Sequence, residues 1–189
     1  MGNTAANVTT GKPKIAGSIF RAPLGTALPT DAKTALANTY KCLGYISDDG
    51  VTNSNAPDSD TVSAWGGDPV LVTHKGREDT FEMTLIEATN SDVLGAIYNT
   101  SNVSGDLTTG ITVKVTTEEA EEAVWVIDLI LKNDIAKRIV IPDAALSDLG
   151  DITYNDSDPV GYDATISAMP IDGSTHTEYI IKTTAASGT

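Results

Sequence analysis

With 26 acidic against 12 basic side chains in 189 residues, the chain carries a formal net charge of -14, which disfavours sequence-independent binding to the nucleic acid backbone. Twenty-six threonines, 16 glycines and 8 prolines favour strands and turns over helices, and the length suits one domain that buries about 70% of its unfolded surface. The lone Cys42 excludes an intramolecular disulfide framework, the start lacks the pattern of a signal peptide, and no run approaches the roughly 18 apolar residues of a membrane span, so a protein made in the cytoplasm is expected.

Residues 1–14 are small and polar and predict a flexible N-terminal arm ahead of a single β domain over 15–184, with 185–189 frayed. Residues 1–41 hold five basic groups against Asp31 alone, so this head is +4 and the remainder -18. A first strand is expected over Ala16–Arg21, followed by an irregular stretch rich in Pro and Gly, Ala22–Ala32, that lies across the body. Tyr40–Ser47 reads as a strand closed by the turn signal Asp48-Asp49-Gly50. Residues 48–68 then predict a long loop, in which Trp65 beside Gly66 and Gly67 seeks a dry pocket on its own chain or a neighbour.

Pro69–His74 and Glu78–Glu87 predict a hairpin around Lys75-Gly76-Arg77. Phe81, Met83 and Leu85 alternate with Glu82 and Thr84, the period of a half-buried strand. Asn90 or Ser91 then caps a short helix, with Asp92 in its first turn, Val93, Leu94, Ile97 and Tyr98 on one stripe, and Asn99 at its end. A strand is predicted over Ile111–Thr117 before the acidic run Glu118, Glu119, Glu121, Glu122. Ala123–Leu131 is apolar on both faces except for Asp128, so it is a strand covered twice. Asn133-Asp134 turns the chain into Ile135–Ile141, which Pro142 ends, and one helical turn is expected near Ala144–Leu149. Strands at Tyr162–Met169 and Thr177–Thr183 complete the pattern.

Chemistry-bearing motifs are sparse. His74 and His176 have no second metal ligand at helical or strand spacing, and the Asp58/Asp60 and Asp156/Asp158 pairs lack the glycine and distal glutamate of a calcium loop. Cys42 alternates with Tyr40 and Ile46 as a small apolar group. No nucleophile elbow, phosphate loop or dinucleotide fingerprint is present, so neither an enzyme nor a cofactor or metal site is expected.

Five stretches in order, APLGTALPTDA (22–32), LGYISDDGVT (43–52), VSAWGGDPV (62–70), TFEMTLIEATNSDVLGAIY (80–98) and DPVGYDATISAMP (158–170), resemble the major tail protein, or tail tube protein, of long-tailed phages with non-contractile tails, the siphoviruses. That resemblance implies a mainly β chain, a β-sandwich or flattened barrel with one flanking α-helix. It implies a virion structural protein whose six copies join edge to edge in a ring, with rings stacked into a tail tube built on a tape measure protein, closed by a tail terminator, and conducting DNA during ejection. The long loop, represented by Asp48, Asp49, Val51, Trp65 and Asp68, would reach a neighbouring subunit. Lys12, Lys14 and Arg21 of the basic head would meet an acidic face of the next ring. Six copies at -14 make -84. Alternation then selects Glu78, Glu82, Thr84 and Thr112 as lumen residues that keep phosphates from sticking. The competing expectations are a β-sandwich binding module and another virion part, a head decoration or tail terminator, that stops short of a tube.

Overall fold

The computed structural model describes residues 3–14 and 17–183, the side chain of Ala6 excepted. Its strands are β1 (Gly11–Pro13), β2 (Ile19–Pro23), β3 (Lys41–Cys42), β4 (Ile46–Ser54), β5 (Pro57–Ser63), β6 (Pro69–Arg77), β7 (Thr80–Leu85), β8 (Val103–Ser104), β9 (Thr112–Val113), β10 (Ala123–Leu131), β11 (Ile135–Leu149), β12 (Tyr162–Ala168) and β13 (Thr177–Lys182). The helix α1 (Ser91–Tyr98) lies between β7 and β8. The chain is therefore mainly β with a single α-helix among the described residues, and its main sheet does not close into a barrel.

The main sheet runs β3-β2-β10-β11-β12-β7-β4, with β1 continuing the line of β2 along β10 and β13 pairing the first half of β11. Residues 135–140 of β11 pair β13 and residues 144–149 pair β12. This one long strand therefore belongs to two layers, β3-β2-β10-β11-β13 and β11-β12-β7-β4. Register shifts between Ala123 and Trp125 on β10 and between Leu146 and Asp148 on β11 accompany the change of layer, as bulges do at sandwich corners.

The core fills the space between the layers. Trp125, Ile127, Ile139 and Ile141 of the first layer meet Phe81, Met83, Leu85, Tyr162, Ala164 and Ile166 of the second, and Val93, Leu94 and Ile97 of α1 close one end. The opposite face of β10, with Val124 and Val126, packs with Ala22, Tyr40 and Val140 in a second cluster. The stretch after β2 crosses this face: the Tyr40 hydroxyl donates to Ala27 O at 2.9 Å, and Ala32 is buried. Both faces of β10 are thus covered, as its unbroken apolar sequence requires.

Its one polar residue is matched directly across the ladder. Asp128 pairs with Arg138, which donates from Nε to Oδ1 at 2.6 Å and from Nη2 to Oδ2 at 2.8 Å. The other guanidinium nitrogen, Nη1, donates to Asp31 O and Thr34 O, both at 2.9 Å, and so pins the crossing segment. Asp128 and Arg138 are 3% and 1% exposed.

The capped helix matches its sequence signal. The Asn90 side chain accepts from Asp92 N at 3.0 Å, and Asn99 at the other end has a φ of 70°. Asn133 and Asp134, with φ of 62° and 55°, make the β10–β11 turn.

Several expectations differ from the structure. Pro142 does not end a strand, and no helical turn follows it: β11 continues to Leu149 because Trp125 pairs Ile141 while Ala123 pairs Ala144, which places Pro142 and Asp143 in the bulge, where a missing N–H is tolerated. Asp48-Asp49-Gly50 is likewise a bulge rather than a strand end, since Ile46 pairs Leu85 and the next pair is Val51 with Met83. Gly44, at a φ of 71°, separates β3 from β4 where one strand was predicted. Of Ile111–Thr117 only Thr112–Val113 is strand, a short ribbon with β8. Gly11–Pro13 of the expected arm is held as β1 against Leu129–Leu131, whose backbone it satisfies. Ala16 and the frayed end at 185–189 lie outside the described residues.

The largest difference concerns residues 48–68, expected to be an irregular loop. Most of this stretch is strand. β5 pairs β6, not β7, so the predicted hairpin around Lys75-Gly76-Arg77 is replaced by one whose tip is Ala64–Asp68.

Candidate functional site

The hairpin β5–β6 leaves the body at the end of β4, where Ser54 pairs Thr80 of β7, and at its base Pro57 faces Arg77. Every residue from Pro57 to Lys75 is exposed, and the two strands pack extensively only on each other. At the tip Ala64 N donates to Asp68 O at 2.8 Å and Gly67 N to Ala64 O at 3.0 Å. Gly66 and Gly67 have φ of 119° and 99°, a conformation side chains rarely adopt. The turn leaves the Trp65 indole fully in solvent, at 108% relative exposure.

Both faces of this ribbon are partly apolar. Val62 faces Leu71 on one side, while Thr61 faces Val72, with Val70 beside it, on the other. Lys75 and Asp60, 2.7 Å apart, form an exposed ion pair nearer the base. An isolated two-stranded ribbon is marginal in water, and this one also exposes an indole and four large aliphatic side chains. Such a surface calls for a partner.

The sheet margins are open too. β4 and β13 each pair on one side only, and β13 exposes Ile180 and Ile181 at 58% and 39%. The whole chain exposes 12172 Å², against about 8600 Å² for a compact monomer of 19.7 kDa.

The structure separates the residues expected to reach a neighbour. Trp65 and Asp68 sit together at the hairpin tip. Asp48 and Asp49 lie in the β4 bulge on the body, and Val51 packs inward against the main core. Of the basic head, Lys14 Nζ lies 3.3 Å from Asp128 Oδ2, and Arg21 Nη2 lies 2.9 Å from Glu121 Oε2, so both have partners in their own chain. Lys12 on β1 is exposed.

Glu121 also accepts from Thr100 N and Oγ1, at 3.2 and 2.8 Å. Burial pushes its carboxyl pKa up, but the hydrogen bonds from Arg21 and Thr100 outweigh this and leave it below the ordinary value. Of the lumen candidates, Glu82 and Thr84 share the outer face of β7, opposite Thr165 and Asp163 of β12, and Thr84 Oγ1 donates to Asp163 at 3.4 Å. Glu78 is exposed in the link between β6 and β7, and Thr112 belongs to the separate β8–β9 ribbon, so the four do not form one surface.

Sequence reasoning missed a buried carboxylate at the base of the hairpin. Asp79, 1% exposed, accepts from Asn53 Nδ2 at 2.7 Å and Thr175 Oγ1 at 2.6 Å and lies 2.5 Å from His176 Nδ1. Burial pushes its pKa up, yet these hydrogen bonds together hold it below the ordinary carboxylate value. The cluster ties β4, the β6–β7 link and the segment before β13 together. Its members are 96 and 97 residues apart for the Thr175 and His176 contacts, a separation no local pattern spans.

A β-sandwich with one helix, an uncovered apolar arm and open sheet margins defines a subunit made to associate. The chain belongs to the phage tail tube protein family, whose family model matches residues 2–189. Among curated proteins none matches significantly. It is a structural component of a phage tail, and members of its family assemble with their own kind into a tube.

Proposed function

We propose that copies of this chain join as hexameric rings, that the rings stack into the tail tube, and that DNA passes through the bore during ejection. The observation that carries this reading is the surface left uncovered. The excess of about 3600 Å² over a compact monomer reflects a projecting shape, with the apolar hairpin as its most exposed part, and is large enough for interfaces of standard size on association. Open edges at β4 and β13 offer main-chain pairing to a flanking copy.

The face of β7 and β12 that carries Glu82, Asp163 and Thr84 is the candidate bore surface, acidic and hydroxyl-lined, over which phosphates slide without lasting contact. Of Lys12, Lys14 and Arg21, Lys12 is the one left open to an acidic face of the next ring. A tape measure protein within the tube, a tail terminator at its end and assembly in the host cytoplasm complete the proposal.

The test is negative-stain microscopy of concentrated purified protein beside a variant in which residues 58–76 are replaced by Asn-Gly, a turn that closes the facing Pro57 and Arg77. The unaltered chain is expected to give long hollow tubes, and the variant a folded species that forms none. Single rings without tubes from the unaltered chain would favour a terminator-like role, and tubes from the variant would remove the hairpin from assembly.

A further inference from the structure

An open groove of about 660 Å³ marks the surface near α1. It lies between β2, β3, the first turns of α1 and the segment after α1, and Arg21, Ala22, Lys41, Leu43, Gly95 and Val103 are among its walls. None of the described residues fills it. We infer that this groove receives the hairpin tip of a second copy, with the Trp65 indole seated against Pro23 and Val103, the apolar wall residues open to solvent, and the Asp68 carboxylate facing Lys41. This rests on the reading of the hairpin as an assembly arm and names the surface that the arm meets.

The placement of the two features on one subunit carries the inference. β7 crosses the first layer from edge to edge. At its start Phe81 packs on His176, just ahead of β13, with ring centroids 5.4 Å apart. Beyond its end Tyr45 N donates to Glu87 Oε1 at 2.9 Å and Ile86 N to Tyr45 O at 3.2 Å, just after β3. The hairpin leaves from the β13 side and the groove opens on the β3 side, so they are separated by the roughly 20 Å length of a six-residue strand. An arm rooted at one end of β7 and a receptor at the other favour a head-to-tail contact, which repeats from copy to copy.

Chemistry agrees with geometry. The tip offers the most exposed large hydrophobic side chain of the described residues, and the groove offers apolar wall at Pro23 and Val103 among polar residues; of its two carboxylates Glu121 is already paired with Arg21, and Asp92 lies at the start of α1, apart from Lys41 on β3. Among the described residues neither Asp68 nor Lys41 has an ion-pair partner. Arg21, whose guanidinium lies 6.0 Å from the Trp125 ring centre, keeps a buried Nε donor unused at the groove wall. An indole entering a dry pocket beside an arginine is the pattern of interface hot spots.

The test mixes two defective chains. W65A/D68K spoils the tip and leaves the groove, while G95L/K41E fills and recharges the groove and leaves the tip. Leucine at position 95 is a better helix former than glycine and a Cβ there meets Thr100 at an ordinary 3.5 Å; unchanged urea denaturation verifies that the longer side chain is accommodated, and K41E alone, at an exposed position, serves as the second groove variant. Each variant alone should form no tubes where the unaltered chain polymerises, and an equimolar mixture should give a complex heavier than either variant alone by light scattering. D68K and K41E combined in one chain should restore the tubes that each reversal alone abolishes. Tubes from both defective chains, or a mixture no heavier than its separate components, would overturn this pairing while the tube reading stands. Failure of the unaltered chain to form tubes would instead strike the proposed function.

Discussion

Substituting Asp128→Ala strands the guanidinium of Arg138 in the interior, and its cost follows from the local geometry. The pair is bidentate at 2.6 and 2.8 Å and almost wholly buried. Removing one partner of such a pair costs about 3 to 5 kcal/mol, because the remaining charge has lost its counter-ion without regaining water. Lys14 Nζ, 3.3 Å from the same carboxylate, loses its partner as well, though its exposure makes that term small. With a urea slope of about 2 kcal/mol per molar, the midpoint should fall by about 2 M.

Trp125, 2% exposed, supplies the fluorescence signal, and Trp65, already in water, contributes a nearly constant background. The double variant Asp128→Leu with Arg138→Met removes both charges. It should cost about 2 kcal/mol, mostly for the Asp31 and Thr34 carbonyls that Nη1 no longer satisfies. A midpoint shift under about 0.5 M for Asp128→Ala would refute the account of this pair as a desolvated clamp on the crossing segment.

Asp143 presents the opposite electrostatic case. Its Oδ1 is buried without a hydrogen-bond partner, and burial pushes its pKa above the ordinary 3.8. A raised carboxylate favours the folded state below the unfolded pKa and loses that advantage as pH rises through the folded value. Asp143→Asn should therefore be more stable than the parent at pH 7, with the gap shrinking as pH falls toward 3, in paired thermal melts; an equal or lower melting temperature at pH 7 would contradict this. At Gly44, with a φ of 71°, an added Cβ would lie 1.9 Å from Glu87 Cδ, the carboxylate that accepts from Tyr45 N. Gly44→Ala should cost about 2 kcal/mol and lower the melting temperature by about 4 to 8 °C, and an unchanged melt would show that this link relaxes freely.

The elements legible in the sequence are those whose periodicity reports a single local environment. The apolar run bounds β10, alternation marks the inward faces of β7 and β12, and the Asn90 cap with a four-residue stripe marks α1, because burial and hydrogen bonding act there within a few residues. β5 is not legible, since Asp58, Ser59 and Asp60 carry no apolar alternation and the strand gains its ladder only from β6. The available signal was Gly66-Gly67 between Thr61-Val62 and Val70–Val72, which is a hairpin pattern. The run of β11 beyond Pro142 is not legible because a bulge, set by the partner strand, removes the usual objection to proline. The partners of Lys14 and Arg21 lie 114 and 100 residues away, so charge segregation along the chain suggested neighbours that the fold supplies internally.

The membership of β11 in both layers has a mechanical consequence. A pull that tends to part the two layers is carried along a continuous polypeptide, through covalent bonds, and reaches side-chain packing only afterwards. Each building block is thereby stiff, and any curvature of a long filament made from it must be absorbed at the joints between blocks.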